Sequence, residues 1–158
     1  MKNILSHLVK FLLLIFIVGL ILTMIYFLPV IANQAVETYP ELVHAKDNLL
    51  IIGKTLCTLL IAGFATIIYL LVLFDKGQVF TTKFLQALKV IMGVSITTIC
   101  IITVLAIYLV MIDAIKHLVG YILIGGEMSV VIFTAITFVI HKIISDASLY
   151  KQENELTI

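Results

Sequence analysis

Glu127 is the residue whose type and position stand out most, because Gly125-Gly126-Glu127 interrupts an apolar run that extends from Leu118 to Ile140. Ionisable groups inside a lipid-spanning helix are costly and mark functional positions. Counted back from Lys142 at about 1.5 Å per residue, Glu127 lies about 22 Å above the inner boundary of a hydrocarbon core about 30 Å thick. A second arrangement starts the last helix at Gly126, leaving Glu127 in its first turn at the outer rim, where the helix dipole favours a carboxylate. The rim is the expected placement. Lys54 is the other ionisable residue singled out in an apolar run, about 30 Å above Phe74 along a straight helix. It either snorkels outward to the headgroups, which is the expectation, or reaches Glu127 and neutralises it.

Metal chemistry has two weak candidates. Glu41 and His44 are three residues apart and Asp113 and His117 four apart, so each pair shares a face if its segment is helical. Histidine with carboxylates is a zinc-type donor set. No spacing ties the two segments together, so these residues are read as solvated loop polars and no metal is expected. Cys57 and Cys100 fall in separate apolar runs with no C-x-x-C pair, and behave as small hydrophobes. His7 and His141 sit at helix ends. The chain has no H-E-x-x-H, G-x-S-x-G, P-loop or glycine-rich dinucleotide turn. With so few polar groups inside the runs, the expectation is a non-enzyme without a cofactor.

The elements that position these residues follow from composition. In 158 residues, 63% are hydrophobic and 12% charged, with a mean hydropathy of +1.26. Soluble domains carry about a quarter charged residues, so water is not the main solvent of this chain. In lipid every backbone polar group must be satisfied within its own segment or a closed barrel. The apolar runs here are continuous rather than alternating, which selects helices. The fold class is therefore all-α, an integral membrane four-helix transmembrane bundle. All ten basic residues are lysine and the net charge is +1, which argues against direct nucleic-acid binding and removes bidentate phosphate recognition.

Four stretches reach the length of about 20 residues that a bilayer requires: Phe11 to Ala32, Leu49 to Phe74, Val90 to Ile112 and about Val119 to Ile140. They predict helices over about 5–32, 49–74, 83–112 and 119–144 in a single transmembrane domain spanning 1–158, with a short cytoplasmic tail over 145–158. The first stretch exceeds the roughly 7 to 15 residues of a signal-peptide core, so it is read as an uncut anchor. With the amino terminus cytoplasmic, Lys2, Lys10, Lys76, Lys83, Lys89, Lys142 and Lys151 lie inside and Lys46, Lys54 and Lys116 outside, an asymmetry of seven to three. Both termini are thus expected on the cytoplasmic side of a bacterial cell membrane, with Tyr26, Tyr39, Tyr108 and Tyr121 near the outer boundary.

Local signals refine the hairpin between the second and third spans. Gly77 suits the left-handed position that ends a helix, and Thr81 or Thr82 caps the next. Phe84, Leu85 and Leu88 then face one way while Lys83, Gln86 and Lys89 face another, an amphipathic start at the headgroups. Ala62-x-x-x-Thr66 and Gly93-x-x-x-Thr97 have the spacing that lets helices approach closely. They are read as packing positions, with homo-oligomerisation left open.

The turn Asp75-Lys76-Gly77-x-Val79-Phe80 and the ending Lys151-Gln152-Glu153-Asn154-Glu155-Leu156-Thr157-Ile158 resemble a bacterial family catalogued as domain of unknown function 2975, the YoaS-like membrane proteins. The resemblance implies a four-helix membrane protein without established activity, whose gene neighbours include a small helix-turn-helix regulator of the Cro/CI type. It therefore implies a sensor or regulatory partner of a cytoplasmic transcription regulator. Asp75, Lys76, Gly77 and Phe80 on the turn, with Glu153, Asn154, Leu156, Thr157 and Ile158 in the tail, are the candidate docking residues. The Leu156-Thr157-Ile158 end is β-prone and suits addition to a partner's sheet or groove, and equally suits a disordered terminus. Glu127 is not part of the family pattern. Two other readings stand beside this one: a self-protection protein that meets a membrane-active peptide through the segment Asn33 to Asn48, and a small transporter component that uses Glu127 and the intramembrane threonines.

Overall fold

The computed structural model describes residues 2–112 and 117–156, with side chains over 4–40, 42–112 and 120–151. Helix α1 (Lys2–Leu22) runs through one π-helical turn, Thr23–Phe27, into α2 (Leu28–Thr38). Pro29 is the reason for the irregular turn. Its ring nitrogen has no hydrogen to offer the Ile25 carbonyl, and the Leu28 N–H instead reaches back five residues to the Thr23 carbonyl. Tyr39 then leaves the helical region because it precedes Pro40. A short 3-10 segment, Pro40–Ala45, leads into α3 (Lys46–Asp75), followed by α4 (Thr82–Met111) and α5 (His117–Leu156).

Four helical spans are long and apolar enough to cross a membrane: Ile4–Thr38, Leu42–Asp75, Thr82–Met111 and Gly120–Lys151. The all-α membrane-spanning fold read from composition is therefore the fold observed. The first and last helices nevertheless run beyond the bounds set by hydropathy, to Thr38 instead of 32 and to Leu156 instead of 144. Hydropathy measures only the stretch that lipid tolerates. Ser145 to Leu156 contains no glycine or proline and several good helix formers, so the backbone continues its hydrogen-bond ladder past the apolar stretch.

The α3–α4 hairpin forms as its local signals require. Gly77 has φ +68°, the Gly77 N–H donates to the Phe74 carbonyl at 3.0 Å and the Gln78 N–H to the Leu73 carbonyl at 2.9 Å. These are the two bonds of a Schellman end. Thr81 caps α4, its hydroxyl oxygen accepting from the Phe84 N–H at 3.4 Å. On the first turns of α4, Phe84 and Leu88 are buried while Lys83, Gln86 and Lys89 are exposed, the expected amphipathic division.

Packing follows chain order. The α1–α2 helix lies on α3, α3 on α4, and α4 on α5, while no contact between α1 and α5 is found among the described residues. The buried centre is small: Leu73, Phe84 and Leu88, with Leu70, Val79 and Ile144 packed around them, tie α3, the turn, α4 and α5 together at one end. Large apolar side chains such as Ile15, Val104 and Ile132 are exposed along the spans. In lipid that arrangement carries no hydrophobic penalty, because acyl chains are as apolar as the side chains they touch.

Candidate functional site

Asp75 closes α3, and a carboxylate at a helix carboxyl terminus opposes the dipole. The first helix supplies the compensation. Ser6 donates its hydroxyl to Asp75 Oδ2 at 2.8 Å, and Lys10 Nζ makes an ion pair with the same oxygen. Ser6 and Lys10 are four residues apart, so both project from one face of α1 toward α3. Asp75, expected as a docking residue, is thus engaged within its own chain, holding the start of α1 against the turn. Sequence reading missed Ser6 and Lys10. Their signal was a polar pair at helical spacing on the flank of an otherwise apolar helix, too short to point to a residue more than sixty positions away.

The rest of the turn faces outward apart from Val79, which packs into the buried cluster. Lys76, Gly77 and Phe80 are exposed, Phe80 at 50%. Glu153, Asn154 and Leu156 lie on the last turns of α5, so that part of the tail is helical rather than extended. Their side chains, together with Thr157 and Ile158, lie outside the described residues. Because Ile144 packs against Leu73, Phe84 and Leu88, the amino terminus of α1, the turn and the carboxyl-terminal part of α5 share one end of the molecule.

Glu127 is not in the first turn of its helix. Helix α5 runs unbroken through Gly125 and Gly126 from His117, which places Glu127 about 15 Å along it. The start at Gly126 that the rim arrangement assumed is not observed, because both glycines keep helical backbone. The Thr103 hydroxyl on α4 donates to Glu127 Oε1 at 2.7 Å and lies 2.9 Å from the Ile99 carbonyl, so one proton serves two acceptors. Lys54 is exposed and does not meet Glu127; α4 stands between α3 and α5.

Other polar groups in the spans are largely self-satisfied. Thr98 and Thr137 are buried and donate to carbonyls four residues back, at 2.9 and 2.8 Å. His141 Nε2 is enclosed with no hydrogen-bond partner among the described residues. No group of three or more metal-ligating side chains gathers among the described residues. His44 is exposed on the 3-10 segment, while Asp113 and the side chains of Glu41 and His117 lie outside the described residues. Cys57 is buried and Cys100 exposed, each free.

An all-α chain with four long apolar helices, outward-facing apolar side chains and polar groups that pair between neighbouring helices defines a multi-pass membrane protein. The chain belongs to the family described as protein of unknown function (DUF2975), whose sequence profile matches residues 30–158. The match takes in the turn, Thr103, Glu127 and the whole of α5, and begins after Ser6 and Lys10. No curated protein and no solved structure matches the chain.

Proposed function

We propose that this chain is a non-enzymatic sensor or regulatory membrane protein of the bacterial cell membrane, with both termini cytoplasmic, that docks a cytoplasmic helix-turn-helix transcription regulator. The observation that carries the reading is the continuation of α5. From Ser145 the helix extends about 18 Å past the packed cluster and exposes Leu149 at 56% and Tyr150 at 68% among Asp146 and Lys151. A rigid helix that leaves the lipid-compatible stretch with apolar groups on a polar surface suits a helix-in-groove contact. Lys76 and Phe80 of the turn lie at the same end and extend that surface. The lysine asymmetry supports placing this end in the cytoplasm. The implied regulator rests on the family resemblance.

A pull-down from detergent-solubilised membranes tests the proposal, using the full chain, a chain lacking the last eight residues, and the double variant Leu149→Glu/Tyr150→Glu. A helix-turn-helix protein recovered with the full chain and lost in the double variant supports it. Equal recovery with all three, or none with the full chain, overturns it. The Thr103–Glu127 contact favours a second reading, a small ion-coupled transporter component. That reading requires a proton- or ion-dependent flux that disappears in Glu127→Gln.

A further inference from the structure

The cleft between α2 and α3 carries an inference independent of the docking proposal. On α2, Leu28, Ile31, Ala32, Ala35 and Val36 recur at helical spacing, so they form one face, and that face looks onto Leu49 and Leu50 of α3. The two central positions of the face are alanines. Side chains that short cannot fill the distance between two helices, and a space of about 200 Å³ remains. Its inner end is closed where Leu28 lies against Gly53, a contact so tight that a Cβ at position 53 would displace the leucine side chain. Leu42 borders the other end.

Every lining residue is apolar except Lys46. Lys46 is the first residue of α3, so the positive end of the helix dipole adds to its charge. Among the described residues no carboxylate lies within ion-pairing distance of Lys46, although Asp47 follows it and Glu37 is exposed on α2. An apolar slot with a lysine at its mouth, and no carboxylate among the described residues within ion-pairing distance of it, is complementary to an amphiphile with an acyl chain and an anionic head. A transmembrane peptide would need a broader groove, and a neutral amphiphile would leave the lysine unused. We propose that this cleft binds an anionic phospholipid of the bilayer, one acyl chain lying over Ala32 and Ala35 and its phosphate on Lys46.

The test is native mass spectrometry of the full chain released from nanodiscs, titrated with phosphatidylglycerol and separately with phosphatidylcholine of the same acyl chains. The wild-type chain is expected to hold one phosphatidylglycerol more tightly than phosphatidylcholine. Lys46→Gln should weaken phosphatidylglycerol by about fivefold, the contribution of one lysine to anionic-lipid attraction, and leave phosphatidylcholine unchanged. Lys89→Gln, an exposed lysine at the other end of the molecule, should change neither. Ala35→Leu fills the slot and should reduce occupancy by both lipids; Ala35→Met is the milder filling if the leucine variant does not give a monodisperse helical protein. Equal affinity of the wild-type chain for the two lipids overturns the proposal. So does an effect of Lys46→Gln no larger than that of Lys89→Gln, occupancy unchanged in a folded Ala35 variant, or recovery of the native chain with a bound peptide in place of lipid.

Discussion

The contact between Thr103 and Glu127 gives a sharp test of where α5 begins and how it is held to α4. Thr103→Val removes the hydroxyl while keeping the shape of the side chain, and Glu127→Ala removes the acceptor. Interhelical hydrogen bonds in membrane proteins average about 0.6 kcal/mol in double-mutant cycles and reach about 1.7. The donor–acceptor distance of 2.7 Å is ordinary for a hydroxyl donor, and its proton is shared with the Ile99 carbonyl at 2.9 Å. The expected coupling is therefore about 1 kcal/mol, measured by reversible denaturant titration in mixed micelles followed by circular dichroism. Glu127→Gln retains an acceptor and should keep most of the coupling. Glu127→Lys places an ammonium about 15 Å along the helix from His117. It should destabilise by up to about 2.5–3.5 kcal/mol, less whatever snorkelling relieves. Coupling below about 0.3 kcal/mol means that the two sites act independently, which would refute the contact. A Glu127→Lys chain as stable as wild type would put the carboxyl group at the rim.

Three further outcomes are expected. In a background without Cys57 and Cys100, a cysteine placed at His7 should react faster with a soluble maleimide once Asp75 is changed to alanine; an unchanged rate would mean that α1 is held at its start by something other than the Ser6–Lys10–Asp75 contact. Gly77→Ala forces a side chain into a backbone with φ +68° and should cost about 1–2 kcal/mol in the same denaturation assay, whereas Gly19→Ala, with open space around its Cβ, should not destabilise. Single cysteines at Asn3 and Asn154 should label only after the cell membrane is permeabilised, and labelling of either in intact cells would reverse the orientation proposed from the lysines.

The elements differ in how much of them was legible in the chain. The α3–α4 hairpin could be read almost residue by residue, because Gly77, Thr81 and the Phe84/Leu88 against Lys83/Lys89 pattern each encode a local backbone or solvation preference that no distant contact overrides. The apolar run put the start of α5 near Val119, close to the observed His117, and only the alternative start at Gly126 misled, because Gly-Gly before an acidic residue looks like a helix beginning. Glycine's weak helix propensity is a cost of about 1 kcal/mol per residue. A long helix that has no water to replace its backbone hydrogen bonds absorbs that cost rather than break. The π turn near Pro29 was likewise a local necessity, yet the expected first helix passed through it, since hydropathy does not register a missing N–H.

The sequence by itself determined the solvent of this chain, its helical class and its number of spans, because the transfer of long apolar runs out of water and the backbone's need for internal hydrogen bonds in lipid are properties of composition and run length. Tertiary structure alone decided which polar groups meet. In lipid, hydrophobicity does not favour one helix neighbour over another, and side-chain shape and a few hydrogen bonds select the partner faces. That selection brought Ser6 and Lys10 to Asp75, gave Glu127 to Thr103 instead of Lys54, and set two alanines of α2 opposite α3 so that a cleft with Lys46 at its mouth was left open.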